Sequence, residues 1–275
     1  MTRRFNMSLD RRFILKSALA LSLAEIFSLT QAFSQNTENS VGKASNSSKA
    51  ETVNDSPATK TEADVKNLKI GVIGAGSLGG TVATLLVKSG HSVMFSSRHP
   101  DELRRLTNPL GDKASVGTPR QAAQFGDVIL VAVPFSAWPQ IGKDFAAEMK
   151  GKIVIDATNP PLWGGDLEPL SIEAKKNGVA ETVKKYVPDV RLVRAFSAVD
   201  ATVIEDCFNK KIEAVGMPMA SDDEKALDVV AELARETGCE PVITGKLETA
   251  HIFAPGAPGF RAHLPADKLR KRLGL

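Results

Sequence analysis

Gly74, Gly76 and Gly79 stand in G-x-G-x-x-G spacing, with Ala75, Ser77 and Leu78 between them. Ile70-Gly71-Val72-Ile73 leads into this loop, and Val82, Leu85, Leu86 and Val87 recur after it at helical spacing. That order reads as strand, tight turn, helix. A dinucleotide pyrophosphate needs such an arrangement: Gly74 makes the turn, Gly76 lets the backbone approach the phosphates, and Gly79 lets helix and strand pack closely. The helix start offers unpaired N–H groups and a positive dipole end to the anion.

The next strand, His91-Ser92-Val93-Met94-Phe95, ends in Ser96-Ser97-Arg98-His99. A site for NAD usually places Asp or Glu here, to hold the ribose 2′-hydroxyl. No acidic residue appears before Asp101. A 2′-phosphate would repel a carboxylate, but it accepts hydrogen bonds from a serine hydroxyl and matches the planar fork of an arginine. Ser97, Arg98 and His99 therefore point to NADP, against the plainer reading of a solvated turn.

Ligands of open α/β sheets bind beyond the carboxyl ends of the strands. Three further segments fall there: Val133-Pro134-Phe135-Ser136-Ala137-Trp138, Asp156-Ala157-Thr158-Asn159-Pro160-Pro161 and Ala195-Phe196-Ser197-Ala198-Val199. Pro134 and Pro160 stop their strands. Val133 and Ala157 are expected against the adenosine or nicotinamide side, and Asn159 within reach of a ribose or the carboxamide. For Thr158 and Asn159 a simple turn role stands beside ligand contact, and for Trp138 a packed surface aromatic.

Together, Gly74-Ala75-Gly76-Ser77-Leu78-Gly79, Ser96-Ser97-Arg98-His99-Pro100, Ala132-Val133-Pro134, Asp156-Ala157-Thr158-Asn159-Pro160 and Val193-Arg194-Ala195-Phe196 resemble the NADP-dependent reductases of the deazaflavin coenzyme F420. The same domain is similar to the cytosolic part of some membrane metalloreductases. The resemblance spans about residues 69–260. It implies hydride transfer between NADP(H) and a flavin or deazaflavin with the two rings stacked. Ala75 to Leu78 and Ser97-Arg98 would hold NADP, and Val133 and Ala157 would line the ring site. The chain departs from the pattern after Ser97-Arg98: Asp101 and Glu102 come first, and Arg104 and Arg105 only later. Its typical members are cytoplasmic, whereas this chain carries an export signal on the reading below.

Hydride chemistry of this kind belongs to the cofactor, and the protein positions and desolvates. No general acid or base stands out. His91, His99, His251 and His263 are scattered, and no metal-ligand spacing appears. His91, in the turn before the second strand, reads as structural. His251 is the outside candidate, near the Pro255–Gly259 tract that could close over the pocket. Cys207 and Cys239 form no C-x-x-C. Their expected elements do not obviously meet, so two free thiols are expected, although an oxidising compartment permits one disulfide.

The elements that must position these residues alternate. Strands are expected over 69–73, 92–97, 114–117, 127–133, 152–156, 190–196, 212–215 and 240–244. Helices are expected over 78–89, 101–107, 119–124, 136–149, 168–176 and 222–237. The run Val128 to Val133 is apolar throughout, as in a strand covered on both faces. Alternation of this kind predicts a doubly wound, mostly parallel α/β sheet. The Rossmann domain is expected over 68–160, with 161–275 as an α/β extension of the same domain.

The front of the chain differs. Arg11-Arg12-Phe13-Ile14-Leu15-Lys16, the mostly apolar stretch Ser17 to Leu29 and Ala32-Phe33-Ser34 resemble a twin-arginine signal peptide over 1–34. Export to the periplasm, with the twin-arginine translocon as partner, is the expectation; an uncleaved anchor and a start at Met7 instead of Met1 are the alternatives. These residues hold five Lys or Arg against two acids, so without them the formal charge falls from +3 to 0. A nucleic-acid partner is not expected. Residues 35–67 contain no Leu, Ile, Met or aromatic residue and read as a flexible linker. A homodimer is compatible with the fold. Two other functions stay open: an imine or hydroxy-acid reductase of the pyrroline-carboxylate or phosphogluconate type, and a non-enzymatic NADP-binding module.

Overall fold

The computed structural model describes residues 67–162 and 167–275. The signal and linker readings for 1–34 and 35–67 lie outside the described residues, apart from Asn67. Eight strands form one sheet in the order β3-β2-β1-β4-β5-β6-β7-β8. They are β1 (Lys69–Ile73), β2 (Ser92–Ser96), β3 (Ala114–Gly117), β4 (Val128–Val131), β5 (Ile153–Asp156), β6 (Arg191–Arg194), β7 (Gly216–Ser221) and β8 (Glu240–Gly245). β1 to β6 run parallel, β7 is antiparallel to β6, and β8 is parallel to β7. The first six therefore have the 3-2-1-4-5-6 order of a dinucleotide-binding fold.

The helices are α1 (Ser77–Lys88), α2 (Arg104–Thr107), α3 (Pro119–Phe125), α4 (Trp138–Met149), α5 (Pro169–Asn177), α6 (Val179–Tyr186), α7 (Ala201–Phe208), α8 (Glu224–Glu236) and α9 (Ala266–Leu273). Two apolar clusters cover the sheet. One gathers Val82, Leu85 and Leu86 of α1, Ile204 of α7 and Val230 and Leu233 of α8. The other gathers Trp138 and Ile141 of α4, Val183 of α6 and Phe253. Every residue of β4 and β5 is buried, as strands covered on both faces must be. Thr118 and Gln121 form a reciprocal capping box at the start of α3, with Pro119 in its first turn.

One expected strand is displaced. Residues 212–215 are irregular, and the strand begins at Gly216. Its sequence, Gly-Met-Pro-Met-Ala-Ser, has neither alternation nor β-branched residues, and all six positions are buried. Burial on both faces makes it a strand despite its propensity. Proline is tolerated because β6 pairs only with Ala220 and Ser221, so Pro218 has a ladder neighbour on one side alone. Helices α6 and α7 had no counterpart among the sequence expectations.

Candidate functional site

The glycine loop leaves β1 at the crevice between β1 and β4, where the chain's direction of winding reverses. Gly74 has φ of +100°, and a Cβ there would come within 2.5 Å of the Ala132 carbonyl oxygen and 2.6 Å of Val133 Cγ1. Only glycine fits that approach. The backbone N–H groups of Gly74 and Ala75 both donate to the Ser96 carbonyl, at 3.2 and 2.9 Å, which ties the loop to the end of β2. A Cβ on Gly79 would collide with the Gly74 carbonyl, so α1 lies directly on the turn. At Gly76 a Cβ would meet nothing within 4 Å. Gly76 precedes α1 with no side-chain cap and no acid in the first turn. The loop thus presents bare backbone and an unpaired helix start to open space, which fits a pyrophosphate. A cavity of about 260 Å³ flanks it, lined by Gly76, Ser77, Gly80, Thr81, Thr84, Leu85, Leu106 and Glu205.

Beyond β2, the Ser97 hydroxyl accepts the His99 backbone N–H at 2.9 Å, which leaves its own hydrogen to donate. Arg98 and His99 are exposed at the surface. Asp101, the first acid after β2, is 3.4 Å from the Arg104 guanidinium. These features fit a 2′-phosphate better than a 2′-hydroxyl.

Val133 packs beside Gly74, and Pro134 next to it is exposed. Ala157 is buried, and its N–H donates to the Val131 carbonyl at 3.0 Å. The residues Gly74 to Gly79, Ser97 to His99, Val133, Pro134 and Ala157 therefore share the carboxyl edge of β1, β2, β4 and β5.

Asn159 sits on that edge too, but both ends of its amide are engaged within the chain. Its Oδ1 accepts from Arg194 Nη2 at 2.9 Å, and its Nδ2 donates to the Ser197 carbonyl at 2.6 Å. Trp138 is a core residue rather than a surface aromatic: it is wholly buried, and its Nε1 donates to Thr158 Oγ1 at 2.9 Å. These contacts belong to a network around Asp156 and Arg194, both fully buried and 2.5 Å apart. Sequence reasoning did not assign this pair a role. The signal available was an ionic residue closing an apolar strand twice over, in Ile153-Val154-Ile155-Asp156 and Leu192-Val193-Arg194.

The histidines divide. His91 is buried, with Nε2 2.5 Å from the Glu236 carboxylate. His251 hydrogen-bonds the Glu248 carbonyl. It is Arg261 and His263, rather than His251, that reach the 195–199 turn and its neighbour: the Arg261 N–H donates to the Ala198 carbonyl, and both side chains meet the Asp200 carboxylate. The cysteines do meet. Both are free, buried thiols: Gly238 lies against the backbone of Cys207 and Phe208, and the Cys207 thiol donates to the Glu213 carbonyl at 3.8 Å. Burial, then the neighbouring Cys207, push the Cys239 thiol far above its ordinary range. Among the described residues, no group of three or more His, Cys, Asp or Glu is placed to hold a metal.

Residues 69–160 match the family described as NADP oxidoreductase, coenzyme F420-dependent. The match covers about a third of the chain. The matched segment runs from β1 through the turn after β5, so it holds every expected cofactor residue. Metalloreductase STEAP3 of Rattus norvegicus is 28% identical over 199 residues, which is 71% of this chain and 38% of the rat protein. The F420-dependent NADP reductase of Methanocaldococcus jannaschii is 29% identical over 141 residues, 50% of this chain and 62% of that protein. Among solved structures, the hypothetical protein SMa0349 of Sinorhizobium meliloti aligns with a TM-score of 0.62 at 25% identity, over 72% of this chain and 95% of that one.

Proposed function

We propose that this protein is an NADP(H)-dependent oxidoreductase that moves hydride between NADP(H) and a flavin- or deazaflavin-type acceptor. The observation that carries the reading is the end of β2: Ser97 with a hydroxyl hydrogen to give, Arg98 exposed, and no carboxylate before Asp101, one strand away from a bare glycine loop. Bound NADP(H) would supply the hydride. The chain's own residues do the rest. Ala75 to Leu78 and the start of α1 take the pyrophosphate, Ser97 and Arg98 take the 2′-phosphate, and Val133, Pro134 and Ala157 offer a largely apolar floor to the nicotinamide. Asn159, with its amide tied to Arg194 and Ser197, shapes that floor from beside it. The flavin or deazaflavin acceptor is supported by the names of the related reductases and by the absence of any demand for a protein acid or base in such a transfer.

The same reading extends to address. The twin-arginine route carries folded proteins, so NADP would be loaded before export and retained in the periplasm.

The test is direct. Purified protein is titrated with NADPH and with NADH, and NADPH oxidation is then followed with FMN, FAD or coenzyme F420. NADPH should bind at least ~10-fold tighter than NADH, a difference of about 1.4 kcal/mol, and at least one acceptor should support turnover. Equal affinities would reject the 2′-phosphate assignment. Tight NADPH with no transfer to any of the three acceptors would favour the non-enzymatic binding module.

A further inference from the structure

We infer that Arg194 is a positioning residue for the ring site: its buried guanidinium sets the 156–159 turn and, through it, the 195–199 turn against which the nicotinamide end of the cofactor would rest. The inference builds on the proposed NADP reading.

The direction of the hydrogen bonds argues for it. Arg194 Nη1 donates to Asp156 Oδ2 at 2.5 Å and to the Thr158 carbonyl at 2.9 Å, and Nη2 donates to Asn159 Oδ1 at 2.9 Å. All three bonds end on the last residue of β5 or on the turn that follows it. Asp156 Oδ1 in turn accepts the Thr158 N–H at 2.9 Å and the Thr158 hydroxyl at 2.6 Å. Thr158 Oγ1 accepts Trp138 Nε1, and Asn159 Nδ2 donates to the Ser197 carbonyl. One cation thereby links three strand-end segments: 134–138 after β4, 156–160 after β5 and 195–199 after β6. Their relative placement decides the shape of the ring site.

Stability alone does not account for the pair. Two fully buried ions carry a desolvation cost that an apolar pair of like volume avoids. Arg194 Nε, moreover, is buried without a hydrogen-bond partner, so the guanidinium is not fully satisfied. What the arrangement gains is definition of the turns. Phe196, between Ala195 and Ser197, is held at φ of +61°, a left-handed conformation uncommon for a bulky residue. Its neighbours are bonded from this network: the Ala195 N–H donates to the Asp156 carbonyl, and the Ser197 carbonyl accepts from Asn159. Backbone strain persists where surrounding structure over-determines it, and such sites are drawn from ligand clamps and active sites.

Two ligands separate the ends of the cofactor. 2′,5′-ADP carries the 2′-phosphate and adenosine but no nicotinamide, whereas NADP⁺ carries all. The full chain is compared with Arg194→Met, Arg194→Lys and the charge-free pair Asp156→Leu/Arg194→Met, measuring the dissociation constant of each ligand and the thermal midpoint. In Arg194→Met, affinity for 2′,5′-ADP should stay within about twofold, because β2 holds that end, while the advantage of NADP⁺ over 2′,5′-ADP should fall about 10-fold or more. Arg194→Lys should recover part of that advantage. The charge-free pair should regain thermal stability relative to Arg194→Met and still lack the advantage, which separates positioning from folding. Thr158→Val keeps the shape and the ion pair but cuts the link from Asp156 to Trp138, and covers the case in which the larger changes prevent folding. It should lower the same ratio about threefold, the scale of one hydrogen bond. An unchanged ratio in every variant that folds overturns the inference. A wild-type chain that binds neither ligand overturns the NADP reading itself, and is told apart by that first measurement.

Discussion

At the scale of single residues, the proposed preference for NADP(H) over NAD(H) rests on one guanidinium. Arg98 stands exposed beyond β2, beside a serine hydroxyl free to donate. A hydrogen bond to a charged group is worth roughly 1.5–3 kcal/mol, so Arg98→Ala should weaken NADPH binding by about 10- to 100-fold and leave NADH nearly unchanged. Parallel loss for both nucleotides would sink the assignment. The thiols make a second prediction at this scale. Burial and the adjacent Cys207 push the Cys239 thiol well up, and only the thiolate attacks an alkylating agent. At neutral pH, iodoacetamide should therefore modify Cys239 in the folded protein at least about 100-fold more slowly than a free thiol. Mass spectrometry of the folded and denatured protein reads this, and modification at the free-thiol rate in the folded state would contradict it. The sequence could not show that these thiols meet. α7 had no clear periodic signature, and contact between its end and the turn before β8 is a property of the finished sheet.

Elements that were strongly patterned were legible in advance, and those shaped by their surroundings were not. The expected strand 127–133 and the helix 222–237 correspond to β4 and α8 because full burial and 3.6-residue periodicity leave direct marks in the sequence. β7 left no such mark: glycine, proline and two methionines become a strand only because β8 pairs with it and both faces are covered. The site followed the same division. The strand–glycine turn–helix unit of the candidate site could be read from local spacing, whereas the Asp156–Arg194 network joins residues 38 positions apart. Asp223 shows how one residue secures two elements. It caps α8 by accepting the Ala226 N–H at 2.9 Å and takes a two-point hydrogen bond from Arg191 of β6. Asp223→Ala should destabilise the fold by about 1–2 kcal/mol, mostly through the cap, since the ion pair is partly exposed and screened. The Arg191 guanidinium holds the Asp223 carboxyl below its ordinary range, against the opposing effect of burial. A folded-state value below the unfolded one means this stability is present at neutral pH and lost as pH falls from the ordinary carboxylate value, about 3.9. Arg191 stays charged throughout. The gap between wild type and Asp223→Ala in chemical denaturation should thus narrow below about pH 4; a constant gap would show that Asp223 contributes without its charge.

At the scale of the whole molecule, sheet topology and the proposed route of export bear on each other. β1 pairs with β4 across two intervening strands, and β6 and β7 are separated in the chain by α7. Pairings this distant form late and demand a nearly complete chain. A pyrophosphate cradle made from β1, the β2 end and the β4 end exists only once that sheet is assembled, so a cofactor made in the cytoplasm can be held through export only by a chain that is already folded. A route that carries folded cargo meets this requirement, and a route that threads unfolded chain does not. Arg11 and Arg12 carry the prediction. Changing both to Lys keeps the charge, so any effect reports recognition of the pair rather than electrostatics. The variant should accumulate in the cytoplasm, folded and with nucleotide bound, with residues 1–34 still attached. The wild type should appear in the periplasm with a start near Gln35. Fractionation followed by mass spectrometry of each pool reads location, processing and bound nucleotide together. A variant that reaches the periplasm as well as wild type does would refute the twin-arginine reading and leave the nucleotide site to be explained without export.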